Sequence, residues 1–356
     1  MADSTIQQFV DSTILNKYMS RCLQLAQLGG GHVAPNPMVG AVLVCDDLII
    51  GEGFHHHFGE DHAEPNAIRS VKDPELLKRA TLYVSLEPCS YYGKTPPCAD
   101  LIVSNHIPRV VIGTLDPNPK VSGKGVEILH NAGVEVIVGV LEDECRELNK
   151  RFFIYQEQKR PYVLLKWAQT QDGFIDRIRT DNSKPALQIS NNITKHLTHK
   201  MRSENQAILV GANTVLLDNP SLTVRNWSGK SPIRVAIDRQ GRIPAHFNMM
   251  DGMIPTFIFT EKDQKNKPNV EFVKIKFDSH CIKTILHQLY ERNIHSVMVE
   301  GGASILNSFI ETGLWDEANI EVSSQHLNEG VAAPQLHLHP MSRQSFEGNE
   351  WLFYKK

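Results

Sequence analysis

Three residues of the types that bind transition metals fall within one short stretch of this 356-residue chain: His62, Cys89 and Cys98. One imidazole and two thiolates can hold a zinc ion tetrahedrally and leave the fourth position to water, as catalytic sites do. Glu64 stands two residues after His62, close enough to carry protons for whatever reacts beside the metal. A closed, structural site would need a fourth protein ligand, which His55, His56 or His57 would have to supply. In such a site Glu64 would have no task.

The neighbouring residues place these groups at helix starts. Proline is tolerated in the first turn of a helix and not in its interior. Pro65 therefore predicts a helix that begins near His62 and runs through Ala67, Ile68 and Val71. Pro96-Pro97-Cys98 ahead of Ala99-Asp100-Leu101-Ile102 predicts a second one. A thiolate there is favoured by the positive end of the helix dipole and by the metal. His-x-Glu followed by Pro-Cys-x-x-Cys is the signature of zinc deaminases, with the glutamate as general acid and base. Here the order is kept, but the segment from Ser90 to Pro97 spreads the two cysteines apart.

The second half offers weaker signals. Gly211-Ala212-Asn213-Thr214 and Glu300-Gly301-Gly302-Ala303 each follow an apolar run and open a helical one. Glycines at such a junction let backbone approach a phosphate, and the helix that follows offers its free N–H groups. The same residues also serve purely steric turns, and no G-x-G-x-x-G accompanies them.

The length suggests two domains, and 41% hydrophobic with 22% charged residues is ordinary for globular chains. A net charge of −3 gives no basis for nucleic-acid binding. The early polar residues Asp3, Gln7, Gln8, Asp11, Asn16 and Lys17 exclude a signal-peptide core. No apolar run approaches the roughly 18 residues of a spanning helix. Cys22, Cys45, Cys145 and Cys281 are scattered and read as small buried hydrophobes. Together these features predict a cytoplasmic protein with no membrane partner.

Strands are expected near 41–44, 49–51, 82–86, 109–115 and 134–138, interleaved with helices near 14–26 and 125–132. That alternation predicts a mainly parallel sheet between helical layers. A polar stretch from Glu142 to Glu147 leads to a boundary near Lys159-Arg160-Pro161. The domains are set at 12–145 and 160–356. The second shows the same rhythm, with strands near 162–168, 207–210, 233–237, 256–259, 270–277, 296–299 and Ile320, and a closing one at 351–354.

Taken together, the motifs resemble the bifunctional deaminase–reductases of riboflavin biosynthesis. In the first half the likeness rests on Pro35-Asn36-Pro37-Met38-Val39-Gly40, Gly51-Glu52-Gly53-Phe54-His55, the metal residues, Gly93-Lys94-Thr95-Pro96-Pro97-Cys98 and Asp116-Pro117-Asn118-Pro119. In the second it rests on Leu165-Lys166-Trp167-Ala168, Ala207-Ile208-Leu209-Val210-Gly211, Asp218-Asn219-Pro220-Ser221-Leu222-Thr223-Val224-Arg225 and Glu300-Gly301-Gly302. The resemblance implies a cytidine-deaminase-like three-layer α/β/α domain followed by a dihydrofolate-reductase-like α/β domain. It also implies two steps on one phosphorylated pyrimidine. A zinc-activated water would replace the 2-amino group of 2,5-diamino-6-(5-phosphoribosylamino)pyrimidin-4-one, with Glu64 as proton carrier. NADPH would then reduce the ribosyl group to ribityl.

By the same resemblance Asn36, His55, Lys94 and Asp116 line the deaminase pocket. Ala168, Gln188, Thr214, Asp218 and Gly302 hold NADPH, while Arg202, Leu222, Arg225 and Glu300 meet the substrate. Two arginine forks suit a phosphate, and Lys94 is expected to select an acidic substrate. A homo-oligomer, dimer or tetramer, is implied. The chain departs from the pattern at Tyr91, where the family usually has histidine, and at Ala186 and Gln188, where it often has serine and tryptophan. Asn205 also replaces a common aspartate. Two competing readings remain: a deaminase with a weak or silent second domain, and a zinc-stabilised module without catalysis.

Overall fold

The computed structural model describes residues 12–92, 96–118 and 121–356. It divides into two compact units that meet in sequence between Gln158 and Lys159. Lys94, with Gly93 and Thr95, lies outside the described residues. Among these residues no helix is long and apolar enough to cross a membrane.

The first unit contains α1 (Ser12–Gln27), β1 (Gly40–Cys45), β2 (Leu48–Phe54), α2 (Ala63–Ser70), β3 (Thr81–Leu86), α3 (Cys98–Ser104), β4 (Arg109–Thr114), α4 (Lys124–Asn131), β5 (Glu135–Val138), α5 (Glu142–Leu148) and α6 (Lys150–Gln158). Its sheet has the order β2-β1-β3-β4-β5. The expectation of a mainly parallel sheet needs correction here. β1 runs antiparallel to both β2 and β3, and only β3, β4 and β5 pair in parallel. The cause is local: Asp46 and Asp47 both take positive φ, 51° and 60°. That is the geometry of a two-residue hairpin turn, and it returns the chain at once.

Side chains alternate across this sheet. Ala41, Leu43, Leu82, Val84, Val110 and Ile112 point to one face, with Ala63 and Ala67 of α2 and Ala99 and Ile102 of α3. Val42, Val44, Tyr83 and Val111 point to the other, with Tyr18, Met19, Cys22 and Leu25 of α1 and Cys145 of α5. The result is three layers. Helix α2 lies so near β2 that a Cβ on Gly53 would sit 2.3 Å from the Ala67 nitrogen, and one on Gly51 2.7 Å from the Ala67 carbonyl. The Gly51-Glu52-Gly53 motif thus serves close packing, which brings the start of α2 down onto the sheet.

The second unit contains β6 (Tyr162–Gln169), β7 (Phe174–Asp176), α7 (Asn192–Glu204), β8 (Ala207–Gly211), α8 (Ala212–Asp218), β9 (Ile233–Ile237), β10 (Thr256–Thr260), β11 (Val270–Lys274), α9 (Cys281–Glu291), β12 (Ser296–Gly301), α10 (Ala303–Thr312), β13 (Glu317–Val322), β14 (Val331–Ala332), β15 (Ser342–Phe346) and β16 (Asn349–Lys355). Nine strands form one sheet in the order β11-β10-β9-β8-β12-β6-β13-β16-β15. The first seven pair in parallel; β16 and β15 add an antiparallel hairpin. From β8 the chain builds toward β11, and from β12 it steps over β6 to β13. The strand order therefore reverses between β8 and β12, and ligands bind such sheets at the carboxyl ends of the strands flanking that reversal. Residues 351–354 do not close the sheet alone, because β15 covers their outer edge.

Candidate active sites

The first site gathers where three elements end or begin. Glu87-Pro88 carries the chain from β3 to Cys89, His62 caps α2, and Cys98 is the first residue of α3. His62 Nδ1 lies 3.7 Å from Cys89 Sγ and 3.4 Å from Cys98 Sγ. All three ligand atoms lie within 4.8 Å of one another. Tetrahedral zinc, with Zn–S of about 2.3 Å and Zn–N of about 2.0–2.1 Å, sets nitrogen–sulfur separations near ~3.6 Å. The donor set fits that ion. Cys98 is buried while His62 and Cys89 remain partly open, so one side is left for a reactant.

The electrostatics agree with a cation site. Cys89 is lowered to about 4 by hydrogen bonding with Cys98 and, after the opposing effect of burial, with His62. His62 is raised to about 9 by its hydrogen bond with Cys89, while Cys98 is held protonated beside the Cys89 thiolate. A metal entering such a set displaces those protons. The backbone N–H of Cys98 also donates to Cys89 Sγ at 3.3 Å, orienting the thiolate. Glu64 is 3% exposed in the first turn of α2. Burial pushes it up to about 7, against the pull of the His62 imidazolium, near the range where a carboxyl exchanges protons at neutral pH.

Around this centre, His55 is 2% exposed and its ring stands edge-on to His62 at 5.4 Å between centroids. Its Nδ1 lies 3.0 Å from the Asp61 carbonyl and its Nε2 3.1 Å from Asn36 Nδ2. The carbonyl needs a donor and the amide nitrogen needs an acceptor, so the ring is the neutral Nδ1–H tautomer. Burial lowers its pKa in the same sense. Both nitrogens are engaged, and His55 is not a fourth metal ligand. Asp116 is raised to about 6 by burial, and it accepts the Asn118 N–H at 2.7 Å. Tyr91, with half of its surface exposed, lies on the rim, and burial raises its phenol.

Glu87 was legible only as part of its motif. It is 3% exposed, and its carboxylate accepts four backbone N–H groups, from Asp116, Gly123, Gly125 and Val126, at 3.0–3.3 Å. It ties the start of α4 and the Asp116 loop to the strand that delivers Cys89.

The second site is a cavity of about 680 Å³ at the carboxyl ends of β8 and β12. Ala168, Gln188, Thr214, Asp218, Glu300 and Gly302 all line it. Gly302 takes φ 33°, a conformation open to glycine, and its N–H donates to Thr214 Oγ1 at 3.1 Å. That bond stitches the two glycine junctions together. Ala186 also lines the cavity, and Gln188 spends its amide on the Ser190 carbonyl at 2.9 Å. Asp218 accepts from Arg179 at 2.6 Å, and Arg179 in turn reaches Asp176 at 2.5 Å. Its volume falls in the usual range for cofactor pockets, roughly 300–1,000 Å³. Arg179 and Lys166 on its wall are already beside carboxylates, but Arg239 and Arg242 stand exposed at its edge; its size, these two cations and the glycine turn fit a phosphorylated dinucleotide.

Arg202, Leu222 and Arg225 do not line this cavity. Of the two arginines that the resemblance gives to substrate, Arg202 is already paired. Its Nε and Nη2 already bind both oxygens of Glu300 at 2.7 and 2.5 Å. Burial works against the Glu300 charge, but Arg202 outweighs it and holds the carboxyl below its usual range. Arg225 is exposed, and among the described residues its guanidinium donates to Thr223 Oγ1 at 3.2 Å. Leu222 is buried at φ 53°, a strained backbone of the kind that functional loops retain. His199 fixes that loop by accepting the Arg225 N–H at 2.9 Å.

Lys166 is the residue that sequence reasoning left without a role. It alternates between Leu165 and Trp167, which face the core cluster, and so turns to the opposite face and the cavity. It is 7% exposed, and burial lowers its pKa although Glu300 and Glu321 draw it up. Its ammonium lies 3.8 Å from Glu321. The signal available was a lysine inside an otherwise apolar strand.

Comparison with known proteins matches residues 12–114 to the cytidine and deoxycytidylate deaminase zinc-binding region. Residues 161–327 match the RibD C-terminal domain. The riboflavin biosynthesis protein RibD of Aquifex aeolicus is 42% identical over 90% of this chain and 89% of its own. That of Escherichia coli is 35% identical over 87% and 88%. A crystal structure from Thermotoga maritima, described as a diaminohydroxyphosphoribosylaminopyrimidine deaminase/5-amino-6-(5-phosphoribosylamino)uracil reductase, superposes with a TM-score of 0.84 at 39% identity, covering 97% of this chain and 99% of that one. RibD of Acinetobacter baumannii superposes equally well, 0.84 at 31% identity over 96% and 98%.

Proposed function

Since the chain belongs to the RibD family of bifunctional deaminase–reductases in riboflavin biosynthesis, we propose a division of labour between its two sites. The unit that ends at Gln158 deaminates the diaminopyrimidine, and the unit that begins at Lys159 reduces the deaminated product. Zinc held by His62, Cys89 and Cys98 would supply the Lewis acidity that makes water a nucleophile near neutral pH. Glu64 takes a proton from the attacking water and returns it to the departing amine, so that ammonia leaves. Asn36, oriented by neutral His55, and Asp116 contact the ring. Lys94 is assigned to the acidic part of the substrate.

In the second site NADPH would supply a hydride to C1 of the sugar. The C1–ring-oxygen bond breaks, and the oxygen needs a proton. Lys166 holds one on the cavity wall. Thr214 and the Gly302 turn would hold the cofactor phosphates, Ala168 and Gln188 would pack against it, and Asp218 would keep Arg179 in place. Arg225 and Leu222 take the substrate, while Glu300, fixed by Arg202, meets the sugar hydroxyls. The observation that carries the reading is the convergence of His62, Cys89 and Cys98 within 4.8 Å. The test is incubation of the zinc-loaded protein with the diaminopyrimidine substrate, with and without NADPH, and identification of products by mass. The uracil product is expected without cofactor and the ribityl product with it. Unchanged starting material in both reactions would overturn the assignment.

A further inference from the structure

The wall of the first site reaches beyond the residues matched to the zinc-binding family. Asn36 stands in the Pro35-Asn36-Pro37-Met38-Val39 loop, whose two prolines lack an N–H. The loop is nonetheless held at successive points. Asn36 N–H donates to the Val33 carbonyl at 2.8 Å, and the Val39 carbonyl accepts the His55 N–H at 3.0 Å. Gly40 N–H donates to Ser85 Oγ at 3.1 Å. Met38, ahead of β1, takes part in no strand pairing among the described residues, and both its backbone polar groups go to one side chain. Its N–H donates to Asn149 Oδ1 at 2.8 Å, and Asn149 Nδ2 donates to its carbonyl at 2.8 Å.

Asn149 thus pairs with Met38 as a strand would. It is 4% exposed, lies between α5 and α6, and falls outside the matched region that ends at residue 114. We propose that Asn149 is a positioning residue of the deaminase: it fixes Met38, and through Met38 it fixes the loop that presents the Asn36 amide to His55. The proposal rests on the reading of Asn36 as a substrate contact. Asn149 does not itself touch Asn36, His55 or the metal ligands among the described hydrogen bonds.

The test uses full-length, zinc-loaded protein in three forms: Asn149→Ala, Asn36→Ala and the double variant. Zinc per chain, deaminase kcat and KM, and reduction of supplied deaminated intermediate are measured for each. Asn149→Ala is expected to keep its zinc and its reductase activity. Its deaminase kcat/KM should fall about tenfold, mainly through KM, the scale of one to two lost hydrogen bonds. In the Asn36→Ala background the same change should cost less than about twofold, since residues acting through one another are not additive. An equal loss in both backgrounds overturns the proposal and makes Asn149 a general stabiliser. So does normal deamination by Asn149→Ala when Asn36→Ala is impaired. Full activity in Asn36→Ala alone overturns the underlying reading and the proposal with it. Should Asn149→Ala not fold, Asn149→Asp decides by the same criteria, because it keeps the acceptor for Met38 N–H but sets an oxygen against the Met38 carbonyl.

Discussion

In the first unit the three candidate metal ligands lie between His62 and Cys98, and two of them sit at helix starts. In the second, the cavity wall is drawn from residues as far apart as Lys166 and Val331, on strands that are not neighbours in sequence. The contrast is one of length scale. A metal imposes bond-length geometry on a few side chains, and short loops between a strand and a helix can meet it. A cofactor cavity needs area, and area at the ends of a parallel sheet comes from topology. The first site should therefore fail through single atoms, and the second should weaken by degrees.

The largest expected effect is that of Glu64→Gln. The amide keeps the shape of the side chain but cannot take a proton. Deaminase kcat should fall by a factor on the order of 10²–10⁴, the usual worth of a positioned acid–base group. Zinc content and reduction of supplied intermediate should stay at parent levels. A Glu64→Gln protein that deaminates normally would remove the carboxylate from the chemistry and leave the metal site without a proton carrier.

The counterpart in the second site is Lys166→Met. The apolar stem is kept and the charge removed. Glu300 keeps its fork to Arg202, and Glu321 keeps Ser190 and Asn349, each at 2.6 Å, so the variant is expected to fold. Reductase kcat/KM should fall roughly 10- to 100-fold, matching about 1.5–3 kcal/mol for a hydrogen bond from a charged group. Deamination should be unchanged. Turnover of the supplied intermediate at the parent rate would relegate Lys166 to wall structure.

The same difference in scale governs what the chain discloses as a sequence. His62, Glu64, Cys89 and Cys98 are identifiable from types and spacing because prolines mark the helix starts around them. The hairpin at Asp46-Asp47 was visible as a turn, but its consequence, an antiparallel start to the sheet, was masked by the strand–helix alternation of the rest. Glu87 looked like motif and proves to be a hub for four backbone N–H groups, because its partners lie 29 to 39 residues ahead. Arg202 and Glu300, each assigned to substrate by resemblance, bind one another across 98 residues. Pairing at that distance leaves no trace in local pattern. Asn149 escaped for the same reason.

The smallest expected effect tests whether the second cavity tolerates loss by degrees. Ala186 stands where the family often has serine, and it lines the cavity without a polar atom of its own beyond the backbone. Ala186→Ser restores a hydroxyl that can donate one hydrogen bond to substrate or cofactor. A net hydrogen bond is worth about 0.5–1.5 kcal/mol, hence a rise of roughly 2- to 12-fold in reductase kcat/KM. Serine is only slightly larger than alanine, and the cavity opens beside it, so overpacking does not offset the gain. If the benefit appears in KM for the intermediate with kcat unchanged, the hydroxyl adds uniform binding. If it appears in kcat, the serine acts on the transition state, and its absence here has slowed the chemical step itself. No change in either parameter would mean that neighbouring groups such as Ser190 already supply that contact, and the second site would then be more redundant than its cavity wall suggests.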